Sequence, residues 1–127
     1  MSAHVIDRPS GRSDGEEWAE NYTELPGGPG ISLIMESTRE GGRGPRLHLH
    51  PYAETFVIRR GGATFTVGAA PLKRPSDRVG ELREIHAHAG QILVVEAWTP
   101  HRFVTDEGGY EAVHIHSATT FEQIMLE

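Results

Sequence analysis

Apolar and polar residues alternate along this chain in short bursts, and each burst is bounded by turn formers. Ile31-Ser-Leu-Ile-Met-Glu-Ser37 follows Pro26-Gly-Gly-Pro-Gly30, and Arg46-Leu-His-Leu-His50 follows Gly41-Gly-Arg-Gly-Pro45. Glu54-Thr-Phe-Val-Ile-Arg59 stops at Gly61-Gly62, and Ala63-Thr-Phe-Thr-Val67 stops at Gly68. Glu81–His88, Gln91–Val95, Pro100–Thr105, Tyr110–His116 and Phe121–Leu126 continue the series. About nine strands at roughly ten-residue spacing predict an all-β sandwich or barrel. No window carries a helical stripe of useful length. Residues 1–16 are polar and aperiodic, and they read as a flexible segment or a strand exchanged with a neighbouring subunit. Residues 17–127 then form a single β-barrel domain. Gly68 to Gly80 is a long polar connection inside it.

Composition narrows the class without altering that outline. A chain of 127 residues suits one domain with a sizeable core. It has 15 glycines and 8 prolines, richer in turn formers than the roughly 12% usual for the two together. It has no cysteine, which excludes disulfides, thiolate metal sites and a cysteine nucleophile. The net charge of -6 argues against nucleic acid and anionic membrane surfaces as partners. The longest clean apolar run, Ile92-Leu-Val-Val95, is too short to span a bilayer, and no apolar leader is visible. A cytoplasmic protein is expected.

Eight histidines change the picture, because imidazole is the commonest metal-ligating side chain. His48 and His50 lie two apart in a β-like run, so both rings emerge on one face. Glu54 follows a turn through Pro51-Tyr52-Ala53, and a hairpin there folds its carboxylate back toward the rings. His101 opens a later run just after Pro100 and offers a third nitrogen. Three imidazoles and one carboxylate suit one divalent transition metal, Fe, Mn, Ni, Zn or Cu, with a position or two left open.

The spacing is specific: Gly42, five residues, His48-Leu-His50, three residues, Glu54, six residues, Gly61. It resembles the first conserved motif of the cupin superfamily at every fixed position. Gly90 to Thr105 resembles the second cupin motif in part: Gly90 and His101 fit, while Glu96, Trp98 and Thr105 stand where the family has Pro, Gly and Asn. The likeness covers roughly residues 31 to 120. It implies a cupin-type double-stranded β-helix, a jelly-roll barrel, with His48, His50, Glu54 and His101 holding the metal inside.

Around such a centre, alternation nominates Phe56, Ile58 and Phe103 as pocket wall, with Trp98 at the rim and Arg46 at the mouth for an anionic group. His114 depends on the loop Asp106-Glu-Gly-Gly109. An even-numbered hairpin pairs Thr105 with Tyr110 and His101 with His114, which makes His114 the catalytic candidate. An odd one turns it outward. His116 reads as a hydrogen-bonded structural histidine, and His86 and His88 as solvent-facing. The expected function is a metal-dependent enzyme acting on a small oxygen-bearing organic molecule, with dioxygenase-like or Lewis-acid isomerase, lyase or cyclase chemistry. The alternative is a non-catalytic metal-containing small-molecule binder or sensor. Sheet edges that need cover, and the apolar run Phe121–Leu126, predict a homodimer.

Overall fold

Eight strands and no helix form among the described residues, 2–9 and 17–127, of the computed structural model. They are β1 (Trp18–Tyr22), β2 (Ser32–Thr38), β3 (His48–Leu49), β4 (Glu54–Gly68), β5 (Leu82–His88), β6 (Ile92–Val95), β7 (His101–His116) and β8 (Ile124–Met125). The expectation of a flexible or exchanged segment over residues 1–16 falls partly outside the described residues. Residues 2–9 form no strand, and Arg8 Nε lies 2.6 Å from the buried carboxylate of Glu20. Strand β1 is missing from the runs read in the sequence, because Glu17, Glu20 and Asn21 interrupt its apolar residues Trp18, Ala19 and Tyr22.

The two long strands organise everything else. β4 and β7 run antiparallel along nearly their whole length, from Glu54 opposite His116 to Val67 opposite His101. Each bends midway and serves two faces. On one face the order is β1-β2-β7-β4-β6, using the first half of β4 and the second half of β7. On the other it is β8-β3-β7-β4-β5, using the opposite halves. The two faces curl around one interior, the double-sheet arrangement of a jelly roll.

This corrects the expectation of a hairpin at Asp106–Gly109. Pro100–Thr105 and Tyr110–His116 are parts of one continuous strand, so His101 pairs with His48 and Val67, and His114 pairs with Ile34 and Phe56. Inward orientation of His114 comes from a different cause. Strict alternation would send His101 and His114 to opposite faces. The ladder between β4 and β7 is irregular between Ile58 and Arg60 and between Gly61 and Ala63, and there the alternation changes parity. Glu54, Phe56 and Ile58 are buried before the bend, and Ala63 and Phe65 after it. His101, Phe103 and Thr105 are buried on one side of β7's bend, and Tyr110, Ala112, His114 and His116 on the other.

The core fills the interior away from the strand ends: Phe56, Ile58, Ala63, Phe65, Ala87, Val95, Phe103, Tyr110 and Ala112. Phe56 meets Phe65 edge to face at 4.9 Å, and Phe65 lies 5.4 Å from Phe103. The two glycines of the first motif have different duties. Gly42 adopts a φ of 77° in open space, and its amide bonds the Thr105 carbonyl. Gly61 adopts a φ of 66° at the bend, where an added Cβ would stand 2.0 Å from the Gly109 carbonyl oxygen.

The departures from the second motif also resolve. Trp98, at the family's glycine position, keeps a glycine-like φ of 64°. Its amide bonds the His50 carbonyl and its carbonyl accepts from Leu72, tying the long connection to the turn. Thr105 replaces asparagine but still clamps the turn before the first motif: its hydroxyl donates to the Glu40 carbonyl and accepts from the Arg43 amide.

The contrast between the two glycines is measurable by denaturant unfolding. Gly42→Ala is expected to lose about 1 kcal/mol, the left-handed penalty alone. Gly61→Ala is expected to lose roughly 3 kcal/mol or more, because the Cβ must also displace paired backbone. Equal losses would show that close backbone approach at the bend is not what requires glycine there.

Candidate metal centre

Both faces meet at the strand ends, and there the polar residues converge. β3 supplies His48, the residue after it in the same direction supplies His50, β4 starts at Glu54 and β7 starts at His101. All four side chains are buried. One donor atom from each lies within 4.8 Å of all the others. His50 Nε2 is 3.0 Å and His101 Nε2 3.1 Å from Glu54 Oε1.

Each of the three rings is pinned from behind by backbone. His48 Nδ1 donates to the Arg46 carbonyl at 2.7 Å, His50 Nδ1 to the Glu122 carbonyl at 2.7 Å, and His101 Nδ1 to the Thr99 carbonyl at 2.9 Å. With the Nδ1 protons committed, the Nε2 lone pairs face inward together with the carboxylate. Lone pairs converging on a buried carboxylate call for a cation between them. This donor set fits a divalent transition metal, and the backbone carbonyls hold the ring orientation and tautomer that ligation needs.

Electrostatics agree. Burial pushes His48 down to about 4, so it is a neutral imidazole near neutral pH. Burial works to raise Glu54, but the imidazoles of His101, His116 and His50 gathered around it overcome this and hold the carboxyl well below the usual carboxylate range.

A second circle surrounds Glu54. His116 donates from Nε2 to Glu54 Oε2 at 3.1 Å and accepts at Nδ1 from the Tyr52 hydroxyl at 2.7 Å. The Tyr52 ring stacks on His50 at 4.9 Å and 9°. His114 accepts at Nε2 from the Tyr110 hydroxyl at 2.8 Å, which leaves Nδ1–H directed at Glu54 Oε2, 3.9 Å away. Burial lowers His114 to about 4 and raises Tyr110 further above its ordinary value, so this pair stays neutral. On the other side of the His114 ring, Glu36 Oε1 lies 3.8 Å from Nε2. Burial, with the Glu54 charge in support, raises the Glu36 carboxyl to about 7.

A cavity of about 410 Å³ opens over this cluster, within the range of small-molecule sites. Its lining includes His48, His50, Glu54, His101, His114 and His116, the walls Phe56, Phe103 and Ile34, and Glu36. Three nominated pocket residues are not part of it. Ile58 lies one inward step deeper along β4 and is wholly core. Arg46 precedes the two-residue β3, so strand alternation does not extend to it, and its side chain is exposed while its carbonyl serves His48. Trp98 is engaged through its backbone in the turn behind His50 and does not line the cavity.

Glu36, Tyr52 and Tyr110 are not nominated by the sequence pattern. A carboxylate alternating with Ile34 in an otherwise apolar run is the available signal for Glu36. His86 and His88 are solvent-exposed on β5, and His86 pairs with Asp106 at 2.6 Å.

The raised Glu36 carboxyl sets a pH dependence. Its folded-state pKa of about 7 lies above the ordinary 4.5. The stability it contributes is therefore complete below the unfolded value and is lost as pH rises through 7. In metal-free protein, Glu36→Gln is expected to gain up to about 3 kcal/mol over the native chain between acid and mildly alkaline pH. Unfolding curves across that range check this; a constant difference would contradict it.

No curated protein matches the chain. Among solved structures, the oxalate decarboxylase of Bacillus subtilis at pH 4.6 is similar at 21% identity and a TM-score of 0.70, over 91% of this chain and 29% of that one. The oxalate decarboxylase of Lactobacillus farciminis in its formate complex gives 17% and 0.67, over 91% and 32%. A Bacillus subtilis oxalate decarboxylase studied for its Mn(II) centres gives 18% and 0.68, over 96% and 35%. The alignments thus span 29% to 35% of those longer chains, and the likeness is one of fold. The cupin domain family matches residues 35–116, more than half of the sequence, across both motifs and all four converging donors. The chain belongs to the cupin family.

Proposed function

We propose that this cupin is a metal-dependent enzyme, with His48, His50, Glu54 and His101 as ligands of one divalent transition metal and a small oxygen-bearing organic molecule as substrate. The observation that carries the reading is the convergence of three backbone-pinned imidazoles on one buried carboxylate. When bound, such an ion supplies Lewis-acid polarisation of oxygen, and a redox-active one adds electron transfer. The chain's own residues set the rest. Phe56 and Phe103 exclude water and favour a largely apolar body. His116, held by Tyr52, fixes the second oxygen of Glu54. His114, a neutral ring whose Nε2 is occupied by Tyr110, has its Nδ1–H 3.9 Å from Glu54 Oε2, beyond hydrogen-bond reach, and offers it to an oxygen atom of the molecule in the cavity. The structural relatives act on oxalate, and one holds formate; this is in keeping with a small oxygen-rich ligand next to a metal.

We also propose a homodimer built through the outer face of one sheet. Cross-strand partners there form two rows across four strands, apolar except for Thr55. Leu33, Ile115, Thr55 and Val94 make one, and Met35, Val113, Val57 and Ile92 the other. Directly paired residues share a face. Ile92 and Val94 are 63% and 58% exposed, an unusual place for two aliphatic side chains side by side with others.

Metal content tests the first reading. His50→Ala and Glu54→Gln are expected to weaken metal binding by more than the roughly 10–100-fold typical of losing an outer partner. His114→Phe is expected to keep full metal while lowering catechol affinity about tenfold, one hydrogen bond's worth. Full stoichiometry and unchanged affinity in His50→Ala, measured against a chelator, would be fatal to the ligand assignment.

Light scattering tests the second. The native chain should run as a dimer at tens of micromolar, and Ile92→Lys with Val113→Lys as a folded monomer. A native monomer, or a dimer in the doubly charged variant, would rule out this face.

A further inference from the structure

The metal reading leaves Glu36, a titratable side chain of the cavity, without a role. Glu36 stands on β2 between Ala19 of β1 and Ala112 of β7, and lines the same cavity as the four donors. Its side chain is 27% exposed, and among the described residues it makes no hydrogen bond. His114 Nε2, 3.8 Å away, cannot serve it, because that lone pair already accepts from Tyr110. The other charged groups of the neighbourhood do not neutralise it. Glu54 lies beyond the His114 ring and adds negative charge, Glu17 stands at the rim, and Arg43 is paired with Glu40. A half-buried carboxyl that no protein group satisfies is open to a partner from the cavity.

We propose that Glu36 is the proton acceptor and donor for the molecule that occupies the cavity, and that this molecule is a neutral hydroxyl acid such as an enol, a phenol or a hydroxamic acid. The O–H bond of the ligand breaks, its electron pair stays on the ligand oxygen, and the proton bonds to the Glu36 carboxylate. The resulting anionic oxygen faces the donor cluster. The carboxyl then returns the proton when the ligand leaves. This rests on the metal reading, which supplies the positive charge opposite that oxygen. Glu36 is suited to such an exchange by its place in the cavity beside His114, and in the metal-free protein burial raises its carboxyl to about 7. Tyr110 keeps His114 in one tautomer, so the imidazole does not compete for the proton.

The test uses zinc-loaded protein and acetohydroxamic acid. Zinc content is read first in the native chain and in Glu36→Gln, and is expected to be equal, since Glu36 is not a ligand. Calorimetric titration in buffers of different ionisation enthalpy then counts the protons released per hydroxamate bound. Near pH 8, the native chain is expected to release about one proton fewer than Glu36→Gln, because Glu36 keeps it. Equal proton release at equal zinc content would overturn the role of Glu36 and leave the metal site standing. Failure of zinc-loaded native protein to bind the hydroxamate would overturn it as well. Failure to take up zinc would instead refute the metal reading, and the proposal with it. In metal-free protein, carbon NMR of labelled glutamate should show one carboxyl titrating near neutrality that Glu36→Gln lacks; its absence also overturns the role.

Discussion

Two strands must turn side chains inward at both of their ends, and strict alternation across a bend does not let them do so. The shift of parity at the bend of β4 and β7 resolves this, and the rest of the molecule depends on it. Without it, either His101 or the pair His114 and His116 would face solvent. Likewise, either Glu54 and Phe56 or Phe65 would leave the interior. The glycines at the bend let the backbones approach more closely than any Cβ permits, with the Gly109 carbonyl against Gly61 and the Thr38 carbonyl against Gly109. A local backbone allowance thus decides which residues share the cavity.

The site is built against the grain of folding. Histidine and tyrosine side chains around Glu54 are buried where apolar groups would stabilise more. Their hydrogen bonds limit the loss. Each ring nitrogen of His48, His50, His101 and His116 that is not turned toward the centre has a carbonyl or a hydroxyl as partner, and Tyr110 serves His114 in the same way. Glu36 is the exception, and its raised pKa is the electrostatic consequence. Unfavourable burial concentrated at one end of a barrel whose other end is conventional core is the distribution expected where function sets the composition.

The donors were legible because the His48-Leu-His50 alternation and the turn to Glu54 are local, and local geometry follows from spacing. The strand runs were legible for the same reason. What was not legible depended on register over long range. The continuity of β7 through Asp106–Gly109 looks in sequence like a hairpin loop, since two adjacent glycines mark turns and bulges alike. Strand β1 was hidden because Glu20 and Asn21 break its alternation, and Glu20 is buried there against Arg8. Glu36 and Tyr110 acquire meaning only when β2 and β7 are paired, which places both beside His114. Arg46 and Trp98 were nominated by side-chain position, whereas each contributes through its backbone.

Residues 122–127 close over the imidazole cluster. The Glu122 carbonyl holds His50 and its amide bonds Tyr52; the Leu126 amide bonds the Leu47 carbonyl, and Glu127 reaches both the Leu47 amide and Arg102. Order in this terminal stretch and order in the His50 ring are therefore coupled. By thermodynamic linkage, whatever an ion gains by finding the rings already oriented, the terminal stretch gains in docking strength when the ion is present. Under the metal reading proposed above, residues 122–127 would in this sense report metal occupancy, and anything that competes for their docking surface would act on the His50 ring from outside the barrel.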